Sequence, residues 1–279
     1  MTDPIQREHF YHAEGTVLSG NLSLPLAQEI KPQAYAKLHE RGGYLSEHAH
    51  DYRLEGAISF RAAYTQVAGN LDPKAGHGWS TLATSVIEGL NVLDVVTADR
   101  VVAQISADHP LSGYVPSVTL LGTRFENLRI SGHPVTLDLD PHLLGPKPDG
   151  DAPYTSDPGF RQRVTSQYQR IQGSKGLPAE VLARYNQLPA SPENQESIEC
   201  SLVNQASGSY PGQSCGHVID IPNFGTIYLA TLRLEQSDFQ HGVPKQTLIK
   251  LTMIEFKLGC LANGTAQAAD AVVNGHTKP

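Results

Sequence analysis

The sequence predicts a mainly β protein, an antiparallel β-sandwich or barrel carrying a small two-helix insertion. Three observations carry that expectation. Apolar residues alternate with period two through much of the chain, turn formers are abundant (25 Gly and 19 Pro in 279 residues), and charged residues are held to 18%. Alternation places successive side chains on opposite faces, as half-buried antiparallel strands require. Frequent Gly and Pro punctuate short strands, and the modest charge argues against a coiled coil.

In residues 16–26, Leu18, Leu22, Leu24 and Leu26 fall on one face while Ser19, Asn21 and Ser23 fall on the other. Residues 53–66 repeat the pattern, with Leu54, Ile58, Phe60, Ala62 and Tyr64 on one side. The Val-, Ile- and Thr-rich stretch 80–107 predicts two strands around Gly89-Leu90-Asn91, and 118–140 a pair turning at Ser131-Gly132-His133-Pro134. Residues 141–158 form a Pro-, Gly- and Asp-rich loop. The segments 158–171 and 178–188 then read as helices, each with a proline at its first turn and Asp157 placed to cap the first. Strands return at 225–235 and 246–258. In the last, the apolar set passes from Ile249, Leu251 and Met253 to Ile254, Phe256 and Leu258, which implies burial on both faces or a bulge. The expected organisation is one β-rich domain over 1–279. Residues 141–197 form a loop and helical insertion within it, and 262–279 a small, polar, flexible tail.

A net charge of −7 and a pI near 5.9 disfavour binding to nucleic acid or to an anionic membrane, both of which ask for a basic face. No run of about 18 apolar residues exists to form a transmembrane helix. Residues 1–14 are polar and lack the apolar core of a signal peptide, so the expected compartment is the cytoplasm, or the cell exterior for a mature form. Cys200, Cys215 and Cys260 do not make a disulfide framework. Cys200 and Cys215 could staple a loop, and three reduced thiols are the alternative.

Three segments in order carry a resemblance. They are the run from Ala83 through Val86, Leu90 and Leu93 to Val96-Thr97-Ala98-Asp99, the turn Gly122-Thr-Arg-Phe125-Glu-Asn-Leu128-Arg-Ile-Ser-Gly132-His-Pro134-Val135, and Pro222-Asn-Phe-Gly225-Thr-Ile-Tyr-Leu229 followed by Leu234-Glu235-Gln236. Together they resemble the bacterial choice-of-anchor P family, with Leu248–Leu258 standing where that family has its final strand. The resemblance covers about half of the chain. It implies a β-sandwich-like extracellular module joined to varied surface anchors, and it supplies no catalytic residues.

The densest chemical cluster is Glu47-His48-Ala49-His50-Asp51. Histidines at i and i+2 of an extended chain point to one side, so both imidazoles could reach one divalent metal. Gly42, His48, His50 and Glu55 fit the first part of a cupin metal motif. Ala62 stands where that motif ends in Gly, and no second motif follows. His133 and His142 are the nearest later donors, and a solvated polar turn is the plain alternative. Ser80 lies in no nucleophile elbow, and His77 reads as a loop residue. Cys215-Gly216-His217 is only a sequential neighbourhood. Asp138, Asp140, Asp149 and Asp151 miss calcium-loop spacing. Trp79, Tyr44, Tyr52 and Tyr64 could line a site for a sugar or small apolar ligand, or be ordinary core. Arg124, Glu126 and Arg129 suggest cross-strand ion pairs. No phosphate cradle precedes a helix.

No complete catalytic or cofactor motif is present, so no resident cofactor other than a divalent metal is expected. The expected function is a non-enzymatic binding or assembly module that meets a protein partner or a second copy of itself. The alternative is a metal-dependent, cupin-like β-barrel enzyme or ligand binder using His48, His50 and Glu55.

Overall fold

The computed structural model describes residues 7–24, 27–54, 56–72, 78–188, 196–259 and 263–278. Its alternating segments become strands of two large antiparallel sheets. β1 (Ala13–Leu24) and β2 (Gln28–Gln33) lie at one edge of the first sheet. β3 (Gly43–Leu54), β4 (Ile58–Leu71), β5 (Trp79–Val92) and β6 (Val96–His109) form the second as consecutive hairpins. Short strands at Ser117–Thr119, Arg124–Glu126 and Arg129–Ile130 add to the free side of β6.

The helices are α1 (Pro158–Gln172) and α2 (Ala179–Asn186), and Asp157 caps α1 by accepting from the Phe160 amide. After them come β7 (Ser197–Ser201), β8 (Val218–Ile221), β9 (Gly225–Gln240), β10 (Val243–Leu258) and β11 (Asn263–Val273). The first sheet runs β8-β9-β10-β11-β1-β2, with β7 also on β9. Both sheets are open, so the architecture is a sandwich and not a barrel.

One glycine turn matches its sequence signal: Ser131 and Gly132 both have positive φ in a two-residue hairpin. His241-Gly242 make a second such turn between β9 and β10. The turn expected at Gly89 lies further on. β5 continues to Val92, the chain reverses over Leu93–Val95, and Gly89 sits inside the strand with φ of 66°.

The flexible tail expected over 262–279 is a second correction. β11 runs between β10 and β1 in the middle of the first sheet, and Ala266, Ala268, Ala269 and Ala271 are fully buried. His276–Lys278 then pairs with Glu8–Phe10. Residues 262 and 279 lie outside the described residues. The small side chains reflect close packing, not disorder. At Gly15 of the adjoining β1, an added Cβ would collide with Thr65 of β4 and Ser85 of β5. There the Ser85 hydroxyl crosses between the sheets to donate to the Asp270 carbonyl at 2.6 Å.

The two helices lie against the first sheet. Phe160, Val164, Tyr168 and Ile171 of α1 and Val181 and Tyr185 of α2 are buried. Gln167 reaches across to bond both backbone groups of Ser201 at the end of β7, at 2.7 and 3.0 Å. A buried amide satisfied on both sides fixes α1 to the sheet. Cys200 and Cys215 are free thiols, while Cys260 lies outside the described residues.

Candidate functional site

The site begins with an irregularity shared by four neighbouring strands. β9 pairs Leu229 with Ile254 and then Thr231 with Thr252. β10 pairs those two residues with Ala268 and Asp270, and β11 pairs these in turn with Leu18 and Thr16. One residue is skipped in every strand: Ala230, Met253, Ala269 and Val17. All four are fully buried, and Ala230 and Ala269 take positive φ of 45° and 55°. Each strand thus carries one extra residue at the same row, which keeps the register and shifts the alternation by one. The face switch noticed in β10 at Met253 is one part of this aligned bulge. Bulges re-aim side chains. Here they turn Tyr228 and Thr231, Thr252 and Glu255, and Gln267 and Asp270 toward the same outer face.

Arg184 of α2 lies over this row. Its guanidinium carbon is 4.3 Å from the centre of the Tyr228 ring. Nε and Nη2 donate to Glu199 Oε1 of β7 at 3.1 and 2.6 Å, and Nη1 and Nη2 donate to the two carboxylate oxygens of Glu255 at 3.2 and 3.3 Å. Burial alone would lower the Arg184 pKa, but Glu255 and Glu199 together hold it above its ordinary value. Beside it, Lys250 Nζ donates to Gln267 Oε1 at 3.1 Å and stands 3.5 Å from Asp270 Oδ2. Asp270 is 7% exposed and its Oδ1 makes no hydrogen bond. Burial raises its pKa against the pull of Lys250. Arg184, Glu199, Thr231, Lys250, Thr252 and Glu255 line a polar cleft of about 200 Å³.

A buried pair steadies α2 beneath the cleft. The Tyr185 hydroxyl is 2.7 Å from His217 Nε2, and both residues are 2% exposed. Burial, with a contribution from Arg184, lowers His217 to about 3, so it is neutral and accepts from the tyrosine. Cys215 stands apart from it, with its thiol directed at the Arg170 carbonyl.

The residues singled out in the sequence sit elsewhere. His48 and His50 lie on β3, exposed and on one side of the strand, opposite Tyr64 and Ala62. Glu55 is outside the described residues. No group of three His, Cys, Asp or Glu residues placed to hold a metal occurs among the described residues, so neither His133 nor His142 joins the pair there. The four aromatic residues do not share a pocket. Trp79 stacks on His9, Tyr52 on Phe60, the Tyr64 hydroxyl accepts from Arg100, and Tyr44 is 66% exposed. Arg124 pairs with Glu126 along one strand, and Arg129 donates to the Gly132 carbonyl, so the expected cross-strand pairs are not formed. Asp140 and Asp151 accept from backbone amides as loop caps. Ser80 donates to Asp108, and His77 is outside the described residues.

Sequence reasoning passed over Arg184, Glu199, Glu255 and Lys250. The signals near them were the broken alternation in β10 and the matching break in β9 between Leu229 and Leu232.

The fold and site together define a two-sheet β-sandwich with a helical insertion roofing a polar cleft on its bulged sheet. Residues 9–235 match the family described as a domain of unknown function, DUF8256, and the chain belongs to that family. No curated protein and no solved structure matches the chain. The family match ends within β9, yet β10 and β11 lie between β9 and β1 and supply Lys250, Thr252, Glu255 and Gln267 to the site.

Proposed function

We propose that the protein is a non-enzymatic binding module that holds one small, uncharged, polyhydroxylated unit, such as a sugar ring, in the Arg184 cleft. The carrying observation is that the charges of this cleft are already matched within the protein. Arg184 is shared by Glu199 and Glu255, Lys250 faces Asp270, and Arg233 pairs with Glu235. An ionic ligand would have to displace one of these pairs. A neutral ligand with many hydroxyls can donate to the carboxylates and to the hydroxyl oxygens of Thr231 and Thr252, and accept from Arg184 and Lys250, without doing so. Drug-sized ligands take cavities of roughly 300–1,000 Å³, so a cleft of about 200 Å³ suits a single unit. Both glutamates are committed to Arg184 as acceptors, which leaves neither placed to hand a proton to a substrate. The resemblance to choice-of-anchor P modules fits a non-enzymatic reading, since it implies a β-sandwich-like module and supplies no catalytic residues.

Titrating a panel of monosaccharides and short oligosaccharides by calorimetry tests the proposal. At least one should bind, and Thr252→Val, which removes a hydroxyl at nearly constant shape, should weaken it about tenfold, or about 1.4 kcal/mol. The reading fails if no sugar binds, or if binding ignores both Thr252→Val and Arg184→Met.

A further inference from the structure

β3 ends the second sheet, and its outer side pairs with no strand among the described residues. A free edge 12 residues long is a template for another strand. His48 and His50 stand on this edge two residues apart, exposed and on the same side. His48 is steadied there, with Nε2 3.1 Å from Ser46 Oγ and its ring centre 6.0 Å from that of Tyr64. The Tyr64 hydroxyl is itself held by Arg100 at 2.8 Å. Two imidazoles leave zinc short of its usual four ligands, and the described residues place no third donor with them.

We propose that His48 and His50 are half of a divalent-metal site whose other half is the same pair on a second copy of this chain. The two β3 edges meet antiparallel about Ala49. That two-fold pairing sets His48 opposite the second copy's His50, and His50 opposite its His48. Opposed side chains in such a ladder have Cβ atoms roughly 4.5–5.5 Å apart, and the next residue on the same face lies about 7 Å along. Four imidazoles at those corners enclose one ion with nitrogen ligands.

The same register sets Glu47 against the second copy's Asp51, and facing like charges oppose pairing. Asp51, with φ of 50°, also departs from strand geometry, so the shared ladder is short. The metal therefore holds the edges together, and without it the charged edge stays single. The Arg184 cleft lies on the other sheet and is independent of this site.

Light scattering on the full chain, first stripped with EDTA and then titrated with zinc chloride, tests the inference. The expected result is a doubling of the 30.2 kDa mass, one zinc per two chains, and reversal by EDTA. His48→Ala and His50→Ala should each lose the zinc-dependent doubling while keeping the native circular dichroism, since both side chains are exposed. Three results would overturn it: a mass that stays at one chain in zinc, a stoichiometry of one zinc per chain, or a zinc-driven dimer that survives both substitutions. The second would assign the ion to donors within a single chain, Glu55 among them.

Discussion

Arg184 joins more elements than any other side chain of the site. It starts from α2, meets Glu199 on β7 and Glu255 on β10, and covers Tyr228 on β9. Its side chain is 26% exposed, so its interactions are partly screened but far from surface strength. Truncating it leaves two carboxylates facing each other without a cation. Arg184→Ala should therefore cost about 1–3 kcal/mol in urea unfolding. Arg184→Lys should recover only part of that loss, because an ammonium lacks the forked geometry that bridges two carboxylates. A midpoint unchanged in Arg184→Ala would mean that the network does not hold the insertion down. Nothing in the sequence around Arg184 marks it, since an arginine on a polar helix reads as solvated until its partners are known.

At the scale of elements, the aligned bulge decides which side chains face the cleft. β10 shows it in the sequence, where Met253-Ile254 breaks an otherwise clear alternation of large apolar residues, and β9 shows it where Ile227 and Leu229 give way to Leu232 and Leu234. β11 carries the same shift among alanines, which give no contrast between faces. In β1 it is hidden by Gly15 and Thr16. β4 shows a related shift. Ile58 and Phe60 are buried as expected, but beyond Arg61 the inner residues are Ala63, Thr65 and Val67, and the expected Ala62 and Tyr64 face outward.

The bulge makes an unusual demand on Ala230. In an ordinary buried strand a β-branched residue is favoured over alanine. At φ of 45° in a fully buried position, Ala230→Val meets both backbone strain and crowding. It should lose about 2 kcal/mol or more in chemical denaturation, whereas a stabilising effect would show that the row is regular strand.

At the scale of the whole molecule, the strands that begin and end the described chain are locked to the second sheet by buried histidines. His9, on the strand Glu8–Phe10, accepts or donates at Thr277 Oγ1 at 2.9 Å, stacks on Trp79, and lies 4.7 Å from the His109 ring at the end of β6. Burial lowers His9 to about 3, helped by His109 and His276, and lowers His109 to about 4. His217 is lowered to about 3 in the same way. A folded-state pKa below the unfolded value of 6.5 means that the unfolded chain takes up protons first as pH falls. Stability is complete above about pH 6.5 and declines from there toward pH 4. Between pH 7 and 5 the loss should be about 1–2 kcal/mol for each fully buried histidine. Urea midpoints across that range measure it, and His109→Phe should flatten the slope. Equal midpoints at pH 7 and pH 5 would sink the idea that these rings are buried neutral.

The sequence by itself determined the fold class, the two helices with the Asp157 cap of the first, and the hairpin turn at Ser131-Gly132. Those features rest on local physics: side-chain alternation, a proline at a first helical turn, and a backbone that needs positive φ. Period two also puts His48 and His50 on one side of an extended chain, but that they lie within a strand, Gly43–Leu54, came from the structure. Only the tertiary structure decided that β11 is central and not a tail, that the strands bulge in one row, and that Arg184, Glu199, Glu255 and Lys250 meet. Those residues come from a helix and two strands, and their contacts depend on register between segments far apart in the chain. No local pattern encodes that register.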